Sequence, residues 1–365
     1  MYNKNKNNNI VATSECNRPK SSITNIKQLF PSRTKDECLL ELKKNPSVYR
    51  TYLNWPDKWK SRFLEFMEGK KSLPLTYDPF FKKLFNPDVY PERLSQLISS
   101  IIGTNVTVKC ILSNEDSMLP STSLLLLDII VQLEDGSIAN VEIQKIPYTF
   151  PGERMSCYSA DLVLRQYSRV KGELGKTFTY KEMKTVYTII FFEQSSAEFK
   201  APDLNGAYLH QGKTIFNTGL ELDLLQQFYL ISLDVFSENK YPLDKNNRLT
   251  AWLSLLATRD TQDLDTILAA YPWLEEIYQD MASYLRKPEE VLTMFSDALK
   301  ILDHNTVQYM IDEMQNTIDG QKAEIADKDS QIADKVAQLA NQATEIADQA
   351  AEIAALKAQL AAQQK

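Results

Sequence analysis

Eight apolar residues stand seven apart at the C-terminal end of this chain: Ile311, Ile318, Ile325, Ile332, Leu339, Ile346, Ile353 and Leu360. A seven-residue period is close to two turns of α-helix and far from the two-residue period of a strand. Residues 306–365 are therefore predicted to form one long, Ala-rich amphipathic helix of coiled-coil type. The residues three further on, Met314, Gln321, Lys328, Lys335, Gln342, Gln349 and Leu356, are mostly polar. One apolar position per heptad supports weak self-association, a homo-oligomer through 306–365. A solvated helical extension is the alternative.

The rest of the 365 residues can bury a sizeable core, with 43% apolar residues, 17 Tyr and 15 Phe. The longest near-unbroken apolar run, Leu124 to Val131, is interrupted by Asp128 and is too short to span a bilayer. The chain opens on an Asn/Lys-rich stretch without a charged-then-apolar signal segment, so a cytoplasmic location with no membrane partner is expected. Four cysteines without a Cys-x-x-Cys pair argue against a disulfide scaffold and a structural zinc site. Two histidines, His210 and His304, exclude a multi-histidine metal site. The glycines form neither a phosphate-binding P-loop nor a dinucleotide-binding fingerprint. Chemistry in this chain must lean on carboxylates, amides and cations.

The net charge of −7 is unevenly spread. Residues 1–110 hold nineteen Lys and Arg against ten Asp and Glu, while the remainder holds twenty-two against thirty-eight. Lys145 to Lys184 is again basic, with eight cations against four acids. Overall acidity does not exclude a polyanion partner, because a local patch is what meets phosphate. The bland reading of the acidity is that it solubilises the C-terminal helices.

Five regions follow along the chain. Residues 1–20 are low-complexity and expected to be disordered, and 21–72 read as short helices. Residues 73–240 read as a mixed α/β core. In it, a helix from Glu92 to Ile102 is ended by Gly103, and strands follow at Val106–Leu112, Leu124–Leu133 and Ile138–Ile146. A helix runs from about Glu153 to Val170, and further strands lie at Thr185–Phe192 and Gln227–Val235. Residues 241–305 are helical, and the long helix closes the chain.

Asp128 is the residue most at odds with its surroundings, in Leu-Leu-Leu-Leu-Asp-Ile-Ile-Val. A carboxylate there is costly unless a metal or a donor compensates it. The next strand offers Glu142 and Gln144, two apart and so on one face. Whether Asp128 shares that face depends on the hairpin loop. An even-numbered loop turns it away; a three-residue loop, Glu134-Asp135-Gly136 with Gly136 left-handed, sets Asp128 opposite Glu142. Adjacent carboxylates suit a divalent cation between them. The structural alternative makes Glu142 and Gln144 the wet face of a strand, and Asp128 a cap or the partner of an Arg.

The stretch from Tyr77 to about Phe192 resembles the PD-(D/E)XK nuclease family transposases, also called recombination-promoting nucleases. It carries, in order, Asp78-x-x-Phe81-Lys82-Lys83-Leu84-Phe85, the Asp128 strand, the Asp-Gly hairpin and Glu142-Ile143-Gln144. Arg154-x-x-x-Tyr158 with Gln166, Tyr167 and Gly172 comes next, followed by an apolar strand. The resemblance implies a restriction-endonuclease-like core, a mixed sheet flanked by helices, with a helical N-terminal extension and the long C-terminal helix added. By position it implies Asp128 and Glu142 as ligands of Mg²⁺ or Mn²⁺, with Asp78 as a further acid near the metal. Gln144 stands where many members of the wider fold have Lys; an amide orients water but brings no positive charge to the transition state. Lys145, adjacent, is expected to face the other way.

Lys82, Lys83, Arg154, Tyr158 and Gln166 are the expected nucleic-acid contacts. Asp78 also reads as a helix cap, and Tyr158 as core. The leading reading is thus a metal-dependent DNA endonuclease of a transposition-like system, catalytic through Asp128, Glu142 and Gln144. The alternative is a catalytically silent nuclease-fold protein that binds nucleic acid or self-assembles, favoured by the acidic balance and the missing Lys. RNA in place of DNA is not separable from sequence.

Overall fold

The computed structural model describes residues 33–112, 129–145, 147, 151–285 and 287–363. The chain divides into two compact units, the first taking 1–113, 128–137 and 233–298, the second 114–127, 138–232 and 299–365. Six described strands make up a mixed sheet, with helices before, between and after them. No described helix is long and apolar enough to cross a membrane.

The first unit is mostly helical. Its helices are α1 (Lys35–Lys43), α2 (Pro46–Leu53), α3 (Asp57–Met67), α4 (Asp78–Leu84) and α5 (Pro91–Ile102), then α7 (Leu233–Glu238), α8 (Arg248–Ala257), α9 (Thr261–Ala270) and α10 (Glu275–Leu285). Local signals explain their limits. Thr34 and Glu37 form a reciprocal capping box at the start of α1. Asn45 caps α2, with Pro46 in the first turn. Gly103 ends α5 at φ +80°, a conformation that costs glycine nothing.

The core of this unit gathers around Phe295. That ring is fully buried, with the rings of Trp55, Trp59, Phe63, Phe66, Tyr77 and Phe80 at centroid distances of 5.5–6.3 Å. A second focus is Trp252 of α8, also fully buried, against Phe85 and Trp273. Strands β1 (Val108–Ile111) and β2 (Ile129–Leu133) pair antiparallel, Ile111 opposite Val131, with a bulge between Val108 and Cys110.

After β2 the chain turns on Glu134-Asp135-Gly136. Leu133 N–H donates to the Ser137 carbonyl at 2.8 Å, and Gly136 N–H donates to the Leu133 carbonyl at 3.0 Å. Gly136 sits at φ +90°. Of the two loop lengths that the sequence left open, this is the three-residue one with a left-handed glycine. Asp135 fixes it further, its carboxylate accepting from Ser137 N–H and Oγ–H, each at 2.9 Å.

The second unit holds β3 (Ile138–Gln144), α6 (Pro151–Leu174), β4 (Val186–Phe192), β5 (Leu209–Lys213) and β6 (Gln226–Ser232). Strands β3, β4 and β6 run parallel, and β5 is antiparallel at the edge beside β6. Helix α6 is the connection between β3 and β4 and packs on β4. Burial on both faces explains why β4 reads Val-Tyr-Thr-Ile-Ile-Phe-Phe rather than alternating.

Four elements differ from the sequence expectation. Helix α6 runs through Gly172 to Leu174 and stops before Gly175, which takes φ +54°. The strand expected over Gln227–Val235 ends at Ser232, and Leu233 opens α7. Strand β5 has no apolar alternation, since Leu-His-Gln-Gly-Lys is an edge sequence held by backbone pairing. The closing helix α11 is continuous from Pro288 to Gln363, so it begins before the expected boundary at 306.

Candidate active site

On β3 the two-residue period brings Asn140, Glu142 and Gln144 to one face, while Ala139 and Val141 are fully buried on the other. All three polar side chains are themselves buried, Glu142 at 5% exposure. The Gln144 amide Nε2–H donates to Glu142 Oε1 at 3.2 Å. Among the described residues, no hydrogen bond of good geometry reaches Glu142 Oε2, Gln144 Oε1 or either side-chain amide atom of Asn140. Buried polar atoms are rarely left so, and those that are mark strain, catalysis or a missing ion or water.

Helix α6 supplies the other side. Arg154 Nη2–H donates to the Tyr158 hydroxyl at 2.9 Å, one helical turn along, and the guanidinium also lies over that ring. Burial drives the Glu142 carboxyl up to about 7. The Gln144 amide, then the positive charge of Arg154, then Asn140 and Tyr158 pull it partly back. Desolvation therefore outweighs the compensation that the chain itself provides.

Such a cluster suits a hard divalent cation. Mg²⁺ and Mn²⁺ take carboxylate and carbonyl oxygens, and the two oxygens without a well-formed hydrogen bond, Glu142 Oε2 and Gln144 Oε1, are of that type. Among the described residues no three acids, histidines or cysteines converge. Asp128, the second expected ligand, lies outside the described residues.

The remaining site residues fall as follows. Lys145 forms an ion pair with Glu193. Gln166 is fully buried, and its Oε1 accepts from the Lys184 backbone N–H at 2.9 Å, so it holds the approach to β4. In the first unit, Asp78 is the first residue of α4 rather than its cap, which is Tyr77; it pairs with Lys82 at 3.0 Å. Lys83 is half-buried, and burial lowers its pKa. Of the expected residues, then, Glu142, Gln144, Arg154 and Tyr158 come together. Asn140 joins them and was not foreseen. Its signal was the polar residue one strand period before Glu142.

Residues 75–310 match the model of the PD-(D/E)XK nuclease family transposase. The chain belongs to that family. No curated protein matches the chain significantly, and neither does any solved structure. Membership in a PD-(D/E)XK transposase family points to a nuclease-type function and goes with a restriction-endonuclease-like fold.

Proposed function

We propose that the protein is a divalent-metal-dependent DNA endonuclease of a transposition or recombination system, cutting phosphodiesters by hydrolysis. The observation that carries this reading is the buried Glu142 carboxyl, with an oxygen left without a well-formed hydrogen bond among the described residues and a pKa pushed to neutrality.

Glu142 and Asp128 would hold Mg²⁺ or Mn²⁺. Asp128 enters from the hairpin register, which needs the three-residue loop at Gly136. The metal would polarise the phosphodiester and favour ionisation of the attacking water. The chain's own groups do the rest. Gln144 Oε1 can accept a hydrogen bond from the water and so aim it. Arg154 can face the phosphate oxygens, its orientation held by the Tyr158 hydroxyl. Asp78, Lys82 and Lys83 are proposed as further metal and phosphate contacts.

Phosphate binding also has a candidate surface on and after α6. Lys171, Lys176, Lys181 and Lys184 are exposed there, around Tyr180 at 77% exposure. Tyr180 stacks on Tyr167 and meets Phe178 edge-on. Lysines beside an exposed ring grip a backbone and stack on a base.

The test is nicking of a supercoiled plasmid with Mg²⁺ or Mn²⁺. Wild-type protein is expected to nick, while Asp128→Ala and Glu142→Ala are expected to lose the activity. Cleavage unchanged by both substitutions removes the assignment. A further result is expected of Gln144→Lys. It supplies the positive charge that the amide lacks, so the rate at limiting metal should rise about tenfold or more, of the order of one electrostatic contact. An unchanged or lower rate would mean that position 144 is remote from the reacting phosphate.

The second reading is a catalytically silent nuclease-fold protein, favoured by Gln144 in place of Lys. It predicts salt-sensitive DNA binding without nicking. In either reading the C-terminal helix is proposed as a self-association element.

A further inference from the structure

On α11 the apolar residues seven apart are all exposed: Ile311, Ile318, Ile325, Ile332, Leu339, Ile346 and Ile353 are 44–66% accessible. A strict seven-residue repeat drifts about 20° per heptad around a straight helix. Only another helix, wound with it, keeps such a stripe covered over many heptads. That points to a partner with the same period.

The seam that completes the stripe runs four residues on, not three. Between 332 and 353 the apolar residues are Ile332, Val336, Leu339, Ala343, Ile346, Ala350 and Ile353, alternately four and three apart. Val336 is 59% exposed, and Ala343 and Ala350 are exposed too. This is a two-seam coiled-coil pattern, and its alanines let two helix axes approach closely. It ends at a charged seam residue on each side: Asp329, seven before Val336, and Lys357, seven after Ala350.

We infer that two copies of this chain pair antiparallel through residues 332–353, an inference that rests on the self-association reading. The end charges choose the orientation. A parallel, in-register pair sets Asp329 against Asp329 and Lys357 against Lys357, and like charges at such positions are destabilising. An antiparallel pair centred near Ala343 brings Asp329 of each copy to about the level of Lys357 of the other. The same overlap takes the helix end only to about the level of residue 323 of the second copy. The second copy is the occupant favoured because the segment complements itself in both pattern and charge.

Sedimentation equilibrium of the full chain tests this. Wild-type protein is expected to be a dimer, and Leu339→Asp a monomer. Asp329→Lys and Lys357→Asp are each expected to weaken the dimer at least about tenfold, and the double reversal to restore it. A monomeric wild type rejects self-association altogether. A dimer indifferent to Leu339→Asp rejects this surface. A dimer lost with Leu339→Asp but unmoved by the single reversals rejects the antiparallel orientation alone. All these positions are exposed on α11, so circular dichroism of each variant should match wild type. Nicking activity is a separate readout, so failure of the nuclease reading leaves this result standing.

Discussion

Glu142→Gln is expected to cost about 10³-fold or more in metal-dependent cleavage, and at the same time to stabilise the metal-free protein above neutral pH. The first effect follows from losing a ligand to an ion worth several kcal/mol of transition-state stabilisation. The second follows from linkage. The folded carboxyl titrates near 7 and its ordinary value is 4.5. A raised folded pKa means that the folded state holds a proton the unfolded chain gives up. The stability from that proton is fully present below pH 4.5 and is lost as pH rises through 7. The loss amounts to about 3 kcal/mol. Urea denaturation of wild-type protein without metal should show this decline, and Glu142→Gln should not. Above pH 7 a divalent cation should restore much of the loss by binding the ionised form. A wild-type stability flat from pH 5 to 8 would mean that Glu142 is compensated within the chain and has no need of an ion.

Phe295→Ala is expected to destabilise the protein by about 3–5 kcal/mol, the range for emptying a large aromatic site. Phe295 is where six rings from residues 55–80 converge, so its removal leaves a cavity that no single neighbour can fill. In urea the midpoint should fall with the slope unchanged, while Phe295→Leu, which keeps most of the volume, should cost far less. A loss below about 1 kcal/mol for the alanine variant would mean that the cluster repacks.

Local chemistry made much of this fold legible in the sequence. Gly136 gave the loop length because left-handed backbone favours glycine, and Gly103 gave the end of α5 for the same reason. The largely apolar Val186–Phe192 announced a strand covered on both faces. What could not be read depends on partners far away in the chain. Phe295 belonged to an ordinary helical pattern, and nothing near it indicates that Trp55, Phe63 and Phe80 will surround it. Strand β5 carries no pattern because its pairing is through the backbone. At the site, β3 was legible because its alternation is strict, and Arg154 with Tyr158 because they are one turn apart. Gln166 was expected to meet DNA because its spacing from Tyr158 fits two turns. It is instead bonded to the Lys184 backbone, a contact eighteen residues away that spacing along one helix cannot reveal.

The central claim is that Glu142 binds a divalent ion, and isothermal calorimetry with Mn²⁺ or Mg²⁺ at pH 6 tests it most directly. Wild-type protein should take up the ion, with proton release measurable as a dependence on buffer ionisation heat, and Glu142→Gln should show neither. Ion uptake of equal strength in both proteins, or none in wild type, would contradict it.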